Sequence, residues 1–150
     1  MTTYRERLTA SPWMFIATAL VIPASLLVFL PISMVAGVVV AAVLYGGCVL
    51  LLIWGSPVIE VADGVLTAGR ARLPLSAVAQ ATAYRSEEAT LERGRRLDAR
   101  AWLLIRGWVS PVVKVQLDDP SDPTPYWILS SRRPEQLVAA IESAKAAVGS

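Results

Sequence analysis

WMFIATALVIPASLLVFLPISMVAGVVVAAVLYGGCVLLLIW, residues 13–54, decides the architecture of this chain. It contains no Asp, Glu, Lys or Arg; between Arg7 and Glu60 the sequence carries no charge at all. The first run, Trp13 to Leu30, is 18 residues long, close to the roughly 20 residues that cross a 30 Å hydrocarbon layer as a helix. Pro23 lies near its middle and predicts a kink, because proline lacks the N–H of the helical ladder and crowds the preceding turn. Pro31 ends the run. The second run, Ile32 to Trp54, is longer and rich in Val, Leu and Ala. A hairpin of two transmembrane helices over residues 13–55 follows, with residues 1–12 as a segment before it and residues 56–150 as a separate domain.

Composition agrees with this division. The 150 residues are 55% hydrophobic and 17% charged, with a mean hydropathy of +0.52, too apolar for an ordinary soluble domain of this size. A cleaved signal peptide is the competing reading, since Ala17-Thr18-Ala19 has the small-x-small form of a cleavage site. Too few apolar residues precede it for a hydrophobic region of about 7–15 residues. A buried helical pair in a soluble core is the other alternative. Such helices usually keep a polar outer stripe, and none is present here.

Within the second run, Ser33, Gly37 and Ala41 recur every four residues, and Ala42 and Gly46 repeat that spacing beside them. A stripe of this kind lets another helix approach closely, and the first helix is the expected partner. An alanine- and valine-rich composition produces the same pattern without any packing role. Arg5 and Arg7 precede the hairpin, Arg70 and Arg72 follow it, and the connection around Pro31 is uncharged. The positive-inside tendency therefore puts both termini in the cytoplasm, with Trp13 and Trp54 as interfacial anchors.

From Ser56 the pattern changes to short runs of β-branched and aromatic residues separated by turn residues, which reads as strands. Val58–Ala62 and Val65–Ala68 flank Asp63-Gly64, a dipeptide suited to a tight hairpin turn. A third run reaches Leu73, Pro74 breaks it, Leu75 to Val78 forms a short turn or helical step, and Ala79 to Tyr84 is again extended. The charged segment Arg85 to Asp98 reads as an exposed loop. Ala101–Arg106, Val112–Leu117 and Tyr126–Ser130 complete the strands; Tyr126 and Trp127 are expected on opposite faces of the last. The chain ends in a helix beginning at Pro134, with Ser131 as its cap, Glu135 in its first turn, and Leu137, Ile141, Ala144 and Val148 on one face. Six or seven antiparallel strands followed by a helix predict an α+β domain, either a pleckstrin-homology-like bent sheet or barrel closed by the C-terminal helix, or an unclosed α+β sandwich.

Asp119-Pro-Ser-Asp-Pro-Thr-Pro-Tyr-Trp-Ile-Leu-Ser-Ser-Arg-Arg-Pro-Glu135, together with Arg106-Gly-Trp-Val109 and Ser56-Pro57, resembles the signature of an actinobacterial membrane-protein family known only as a domain of unknown function. The resemblance extends over nearly the whole chain. It implies a two-helix anchor in an actinobacterial plasma membrane and a cytoplasmic domain similar to bacterial pleckstrin-homology domains. No catalytic or binding residues are assigned through it.

The side chains themselves offer few chemical constellations. Histidine is absent, which removes the commonest general base and metal ligand, and the single Cys48 excludes a disulfide within the chain. Asp118, Asp119 and Asp122 are close in sequence, but Asp-Pro pairs favour turns over an oxygen cage for Ca²⁺ or Mg²⁺. No metal, no cofactor and no catalytic residue is expected. With 14 basic and 12 acidic residues a nucleic-acid partner has little support. Arg93, Arg95 and Arg96 form the densest basic cluster and are candidates for contact with anionic lipid, against a reading as a solvated mixed-charge loop with Glu87, Glu88 and Glu92. Arg132 and Arg133, beside the N-terminus of the last helix, are candidates for a lipid headgroup or a partner carboxylate. The expected function is a non-enzymatic membrane-anchored module presenting its domain at the inner leaflet to a membrane or cytoplasmic protein or to anionic lipid. The alternative is a structural accessory subunit of a larger membrane complex.

Overall fold

The computed structural model describes residues 2–150 and divides them into two compact units, one formed by residues up to Leu8 together with Pro57–Ser150, the other by Thr9–Ser56. The apolar stretch is thus an insertion into the α+β unit.

In the inserted unit, α1 (Pro12–Thr18) and α2 (Val21–Phe29) are followed by α3 (Met34–Trp54). The first apolar run is not one helix kinked at Pro23. It breaks a turn earlier, at Ala19 and Leu20, because Pro23 has no N–H to donate to Ala19 and its ring presses on that carbonyl. Ile22 N–H takes up the Ala19 carbonyl instead, at 3.0 Å, and Leu20 N–H reaches Ala17 O at 3.2 Å, both one residue tighter than an α-helical bond. The helix of the second apolar run, α3, starts at Met34, two residues after Ile32, with Ser33 as its N-cap, whose side chain accepts from Ala36 N–H. Pro12–Phe29 and Met34–Trp54 have mean hydropathies of 2.0 and 2.6 and are long and apolar enough to cross a membrane. Only Ser25, Gly37 and Ala41 are buried in α2 and α3, and Trp13, Leu27, Val35, Leu51 and Trp54 are largely exposed.

Among the described residues the α+β unit has eight strands. Four make a meander, β1 (Thr2–Arg7), β2 (Val58–Ala62), β3 (Val65–Ala68) and β4 (Ala71–Pro74), antiparallel throughout. The sequence alone sets residues 1–12 apart as a segment before the hairpin, whereas Arg7 lies opposite Val58, Glu6 opposite Ile59 and Arg5 opposite Glu60. Leu8 N–H donates to Pro57 O at 2.9 Å and continues the ladder to the edge of the insertion. β1 is not legible in the sequence because its pairing partner is some fifty residues away and its own six residues, TTYRER, carry one large apolar side chain. The β2–β3 turn at Asp63-Gly64 has φ of 51° and 72°, the left-handed pair a tight hairpin requires.

A 3-10 turn (Leu75–Ala77) leads to the second sheet, β5 (Val78–Tyr84), β6 (Trp102–Leu104), β7 (Val112–Leu117) and β8 (Tyr126–Ser130), in the order β5-β7-β8-β6. One pairing departs from the all-antiparallel expectation: β6 runs parallel to β8, with Trp102 opposite Trp127 and Leu104 opposite Leu129. Parallel pairing needs a long crossover, supplied by residues 105–125, which run back through β7; the polar segment Arg85–Asp98 instead joins β5 to β6. That segment is not the expected loop. Ser86–Arg93 forms α4, with Glu87 and Glu88 in the first turn and Arg93 in the last, charges that complement the helix dipole. Only Ala89 and Leu91 are apolar in it, too few to show a helical period.

The strands make two separate four-stranded sheets, not one hydrogen-bonded barrel. The main core joins Ile59, Val61 and Leu66 of the first sheet to Val113, Val115, Trp127 and Leu129 of the second and to Leu137 and Ile141 of α5 (Pro134–Gly149). A second, smaller core of Ala89, Val112, Tyr126 and Ile128 lies on the other face of the second sheet. Tyr126 and Trp127 therefore separate to opposite faces, both buried. The N-cap of α5 is Arg133, with no side-chain cap bond; Ser131, expected in that role, is two residues too early and is used differently.

Candidate functional site

Two buried carboxylates organise the polar interior. Glu6 is 5% exposed. Its Oε2 accepts from the Tyr4 hydroxyl at 2.8 Å and the Ser131 hydroxyl at 2.6 Å, and its Oε1 accepts from Arg132 N–H at 2.8 Å. Ser131 Oγ in turn accepts from Arg133 N–H at 3.1 Å. The Arg133 guanidinium lies 5.3 Å from the centre of the Tyr4 ring and donates to Arg5 O at 3.3 Å. β1 is thus fastened to the corner between β8 and α5, across more than 120 residues of chain. Burial pushes the Tyr4 phenol up to about 12, and the neighbouring Glu6 carboxylate adds to that shift. Three donors on one buried carboxylate leave it little capacity for a ligand, and the chemistry it performs is structural.

Glu92 of α4, 3% exposed, is the second. Lys114 Nζ donates to it at 3.2 Å and Arg96 Nη1 at 3.4 Å, while Lys114 also sits 4.4 Å from the centre of the Tyr126 ring. The Tyr126 hydroxyl accepts from Asp98 N–H at 2.7 Å and donates to Arg96 O at 3.3 Å. These contacts hold α4 and its trailing loop on the outer face of the second sheet. Neither constellation is visible in the sequence, because the partners are brought together by strand register.

Of the basic residues singled out from the sequence, Arg93 donates to Ala89 O at 3.3 Å and Arg96 pairs with Glu88 at 2.8 Å as well as with Glu92. Arg95 has no polar partner among the described residues and, with Leu91 and Arg96, lines a shallow pocket of about 340 Å³. Arg132 and Arg133 stand at the β8–α5 corner described above. The N-terminus of α5 is served by Glu135 of the same chain, whose carboxylate is gripped by Arg85 at 2.6 and 2.7 Å. That grip, with the helix N–H beside it, pulls Glu135 down to about 2. In the hairpin, Ser33 is the cap of α3, and Gly37 meets α2 closely: a Cβ there would lie 3.3 Å from Leu26 Cδ2 and 3.5 Å from Phe29 Cβ. Ala41 is buried and, with Ala42, Ile22, Leu26, Val38 and Tyr45, lines an apolar groove of about 230 Å³. Gly46 has open space where a Cβ would be. Asp119 and Asp122 accept from Ser121 N–H and Thr124 N–H at 2.9 and 2.8 Å, local turns of the kind Asp-Pro sequences make.

A family described as a protein of unknown function, DUF3093, matches residues 3–141. The chain belongs to this DUF3093 family. Neither a curated protein nor a solved structure matches it. The matched span of this DUF3093 member begins within β1 and ends at Ile141, so it covers both partners of the Glu6 clasp as well as the inserted helices.

Two outcomes follow from these contacts. Glu6→Ala leaves the Tyr4 and Ser131 hydroxyls and the Arg132 N–H without their acceptor and lowers stability by at least about 1.5–3 kcal/mol, the worth of one charge-assisted bond, with Glu6→Gln losing less. Denaturant unfolding of the detergent-solubilised chain, followed by tryptophan fluorescence, reads the difference. The Arg85–Glu135 pair has a pH signature: a depressed carboxylate stabilises above its ordinary value of about 4.5 and the contribution disappears as pH falls from there towards 2. Wild type and Arg85→Gln therefore differ in Tm at neutral pH, and the difference closes over that interval.

Proposed function

We propose that the chain is a non-enzymatic, membrane-tethered module that holds its α+β domain against the inner leaflet of a bacterial plasma membrane, with both termini in the cytoplasm, for a protein or anionic-lipid partner. The carrying observation is the insertion itself. β1 and β2 are paired neighbours, and the chain between them is an uncharged pair of apolar helices. Any even number of crossings between two hydrogen-bonded strands must return the chain to the side it left, so the pairing gives a topological reason for a two-helix hairpin that does not depend on charge. The largely outward-facing Leu, Val, Ile and Trp side chains of those helices call for an apolar surrounding, which lipid supplies. Arg5 and Arg7 before the hairpin and Arg70 and Arg72 after it favour the cytoplasm for both of its ends.

A meander of four strands, a second sheet and a C-terminal helix covering the space between them support a pleckstrin-homology-like architecture. In this reading the membrane hairpin replaces the β1–β2 turn, and β6 is an additional parallel edge strand. A binding role in place of catalysis is supported by how the buried acids are used, since Glu6 and Glu92 are both committed to donors of the fold. An actinobacterial origin remains part of the proposal through the resemblance of the C-terminal signature.

One observation favours the second reading, an accessory subunit of a larger membrane complex. Gly46 and Gly47 face open space on α3, where a helix from another protein could approach closely.

Alkaline carbonate washing of membranes containing the full chain leaves it in the pellet if the proposal is right. Cysteines introduced at Thr3 and at Ser150 in a Cys48→Ser background are then both shielded from a membrane-impermeant maleimide in intact cells and both labelled after lysis. Release into the carbonate supernatant, or labelling of either site from outside, contradicts it.

A further inference from the structure

Resting on the membrane reading above, strand register gathers arginines that are far apart in sequence at one end of the domain. That end is marked by Leu8 and Pro57, where the chain leaves for α1 and returns from α3. Arg7 is the last residue of β1, opposite Val58. The β3–β4 turn lies beside the same point, because Gly69 N–H donates to Val58 O at 2.9 Å, and Arg70 follows it. A Cβ on Gly69 would be 3.7 Å from Pro57 Cβ and 3.8 Å from Leu104 Cδ1, which brings the end of β6 to this point, with Arg106 just beyond. Leu104 pairs with Leu129, so β8 finishes here too, and Arg132 follows. Glu6, bonded to Ser131 and Arg132 N–H, ties that corner to β1 independently.

The acids are distributed the other way. Every aspartate of the chain, Asp63, Asp98, Asp118, Asp119 and Asp122, lies in the turns and loops at the opposite end, after β2, before β6 and between β7 and β8. Arg93, Arg95 and Arg96 belong to that opposite end as well, since Tyr126, the first residue of β8, donates its hydroxyl proton to Arg96 O. Of the glutamates near the arginines, Glu6 is buried and fully engaged, Glu135 is held by Arg85, and Glu87 is exposed in the first turn of α4. The chain leaves this arginine end for the apolar helices directly after Leu8 and rejoins it at Pro57.

We propose that Arg7, Arg70, Arg106 and Arg132 form a contact face for anionic phospholipid headgroups, and that the Arg93–Arg96 cluster is not that face. A basic group close to an anionic leaflet is attracted to it, and guanidinium groups match phosphate oxygens with two parallel donors. The aspartates at the far end are repelled by the same leaflet, so the charge separation also orients the domain.

The test uses the full chain reconstituted in vesicles of phosphatidylcholine containing phosphatidylglycerol as the minor component, and spin-labelled versions of each lipid to measure their relative association with the protein. Wild type prefers phosphatidylglycerol, and the preference weakens as salt is raised. Arg70→Gln and Arg132→Gln each reduce it by about five-fold at low salt, while the triple change Arg93→Gln, Arg95→Gln, Arg96→Gln leaves it intact. Arg132→Gln keeps the backbone N–H that Glu6 accepts, and an unchanged near-ultraviolet dichroism confirms the fold. Equal association of the two lipids, a preference that survives both single changes, or one abolished by the triple change overturns the proposal. Carbonate washing of the same vesicles separates the two levels. A chain that stays in the pellet yet shows no lipid preference loses only the headgroup face, and a chain that is released loses the membrane reading with it.

Discussion

The pairing of β1 with β2 is the constraint on which the rest depends. Residues 2–7 are joined to residues 58–62 by an antiparallel ladder, in register from Tyr4 to Arg7 and shifted between Thr2 and Tyr4, and Leu8 N–H to Pro57 O is its last rung before the inserted helices. Closing a loop of this length costs little more entropy than closing a shorter one, because the cost grows only with the logarithm of loop length. Two helices that fold back on each other lower it further, since they bring their own ends together. At Gly37 the two helices approach closely, a Cβ there lying 3.3 Å from Leu26 Cδ2 and 3.5 Å from Phe29 Cβ, and this small residue is one of the contacts on which the hairpin folds back.

Once β1 is in place, the Glu6 clasp becomes possible and closes the domain. A carboxylate removed from water is expensive unless its oxygens are satisfied. Here Tyr4, Ser131 and Arg132 N–H satisfy them from both ends of the chain. The β8–α5 corner is held by the same atoms, with Arg133 over the Tyr4 ring and Arg85 on Glu135 as its outer ties. The signature Ser-Ser-Arg-Arg-Pro-Glu at residues 130–135 has a physical account in this geometry: Ser130 accepts from Arg106 N–H, Ser131 reaches Glu6, Pro134 opens the helix, and Glu135 answers Arg85.

What could be read from the sequence was what is local. The Asp63-Gly64 turn, the limits of β7 and β8 and the start of α5 all depend on residues within one element or its flanking turn. The two apolar runs were visible as a gap in charge, though the position of the break in the first was not. Proline acts on the carbonyl four residues before it, so the helix parted at Ala19 and Leu20 and not at Pro23. What was missed is non-local. β1 had no adjacent partner, α4 had too few apolar residues to show a period, and the parallel setting of β6 is decided by its neighbours. Glu92 reads as a solvated acid until Lys114, on a strand some twenty residues later, is placed beside it. The arginine end of the domain is invisible in sequence for the same reason, whereas the contiguous Arg93–Arg96 cluster drew attention and lies at the other end.

The central claim is that the domain is assembled around a membrane insertion, with β1 and β2 paired across it. Arg5 and Glu60 are opposite one another in the ladder, and a chain carrying Arg5→Cys, Glu60→Cys and Cys48→Ser, oxidised in isolated membranes, tests the claim most directly. An intramolecular disulfide in the membrane fraction, absent when the second cysteine is moved to Val61 on the opposite face, is the result this account predicts. Failure of the Arg5–Glu60 pair to close, with no change in membrane association, would contradict it.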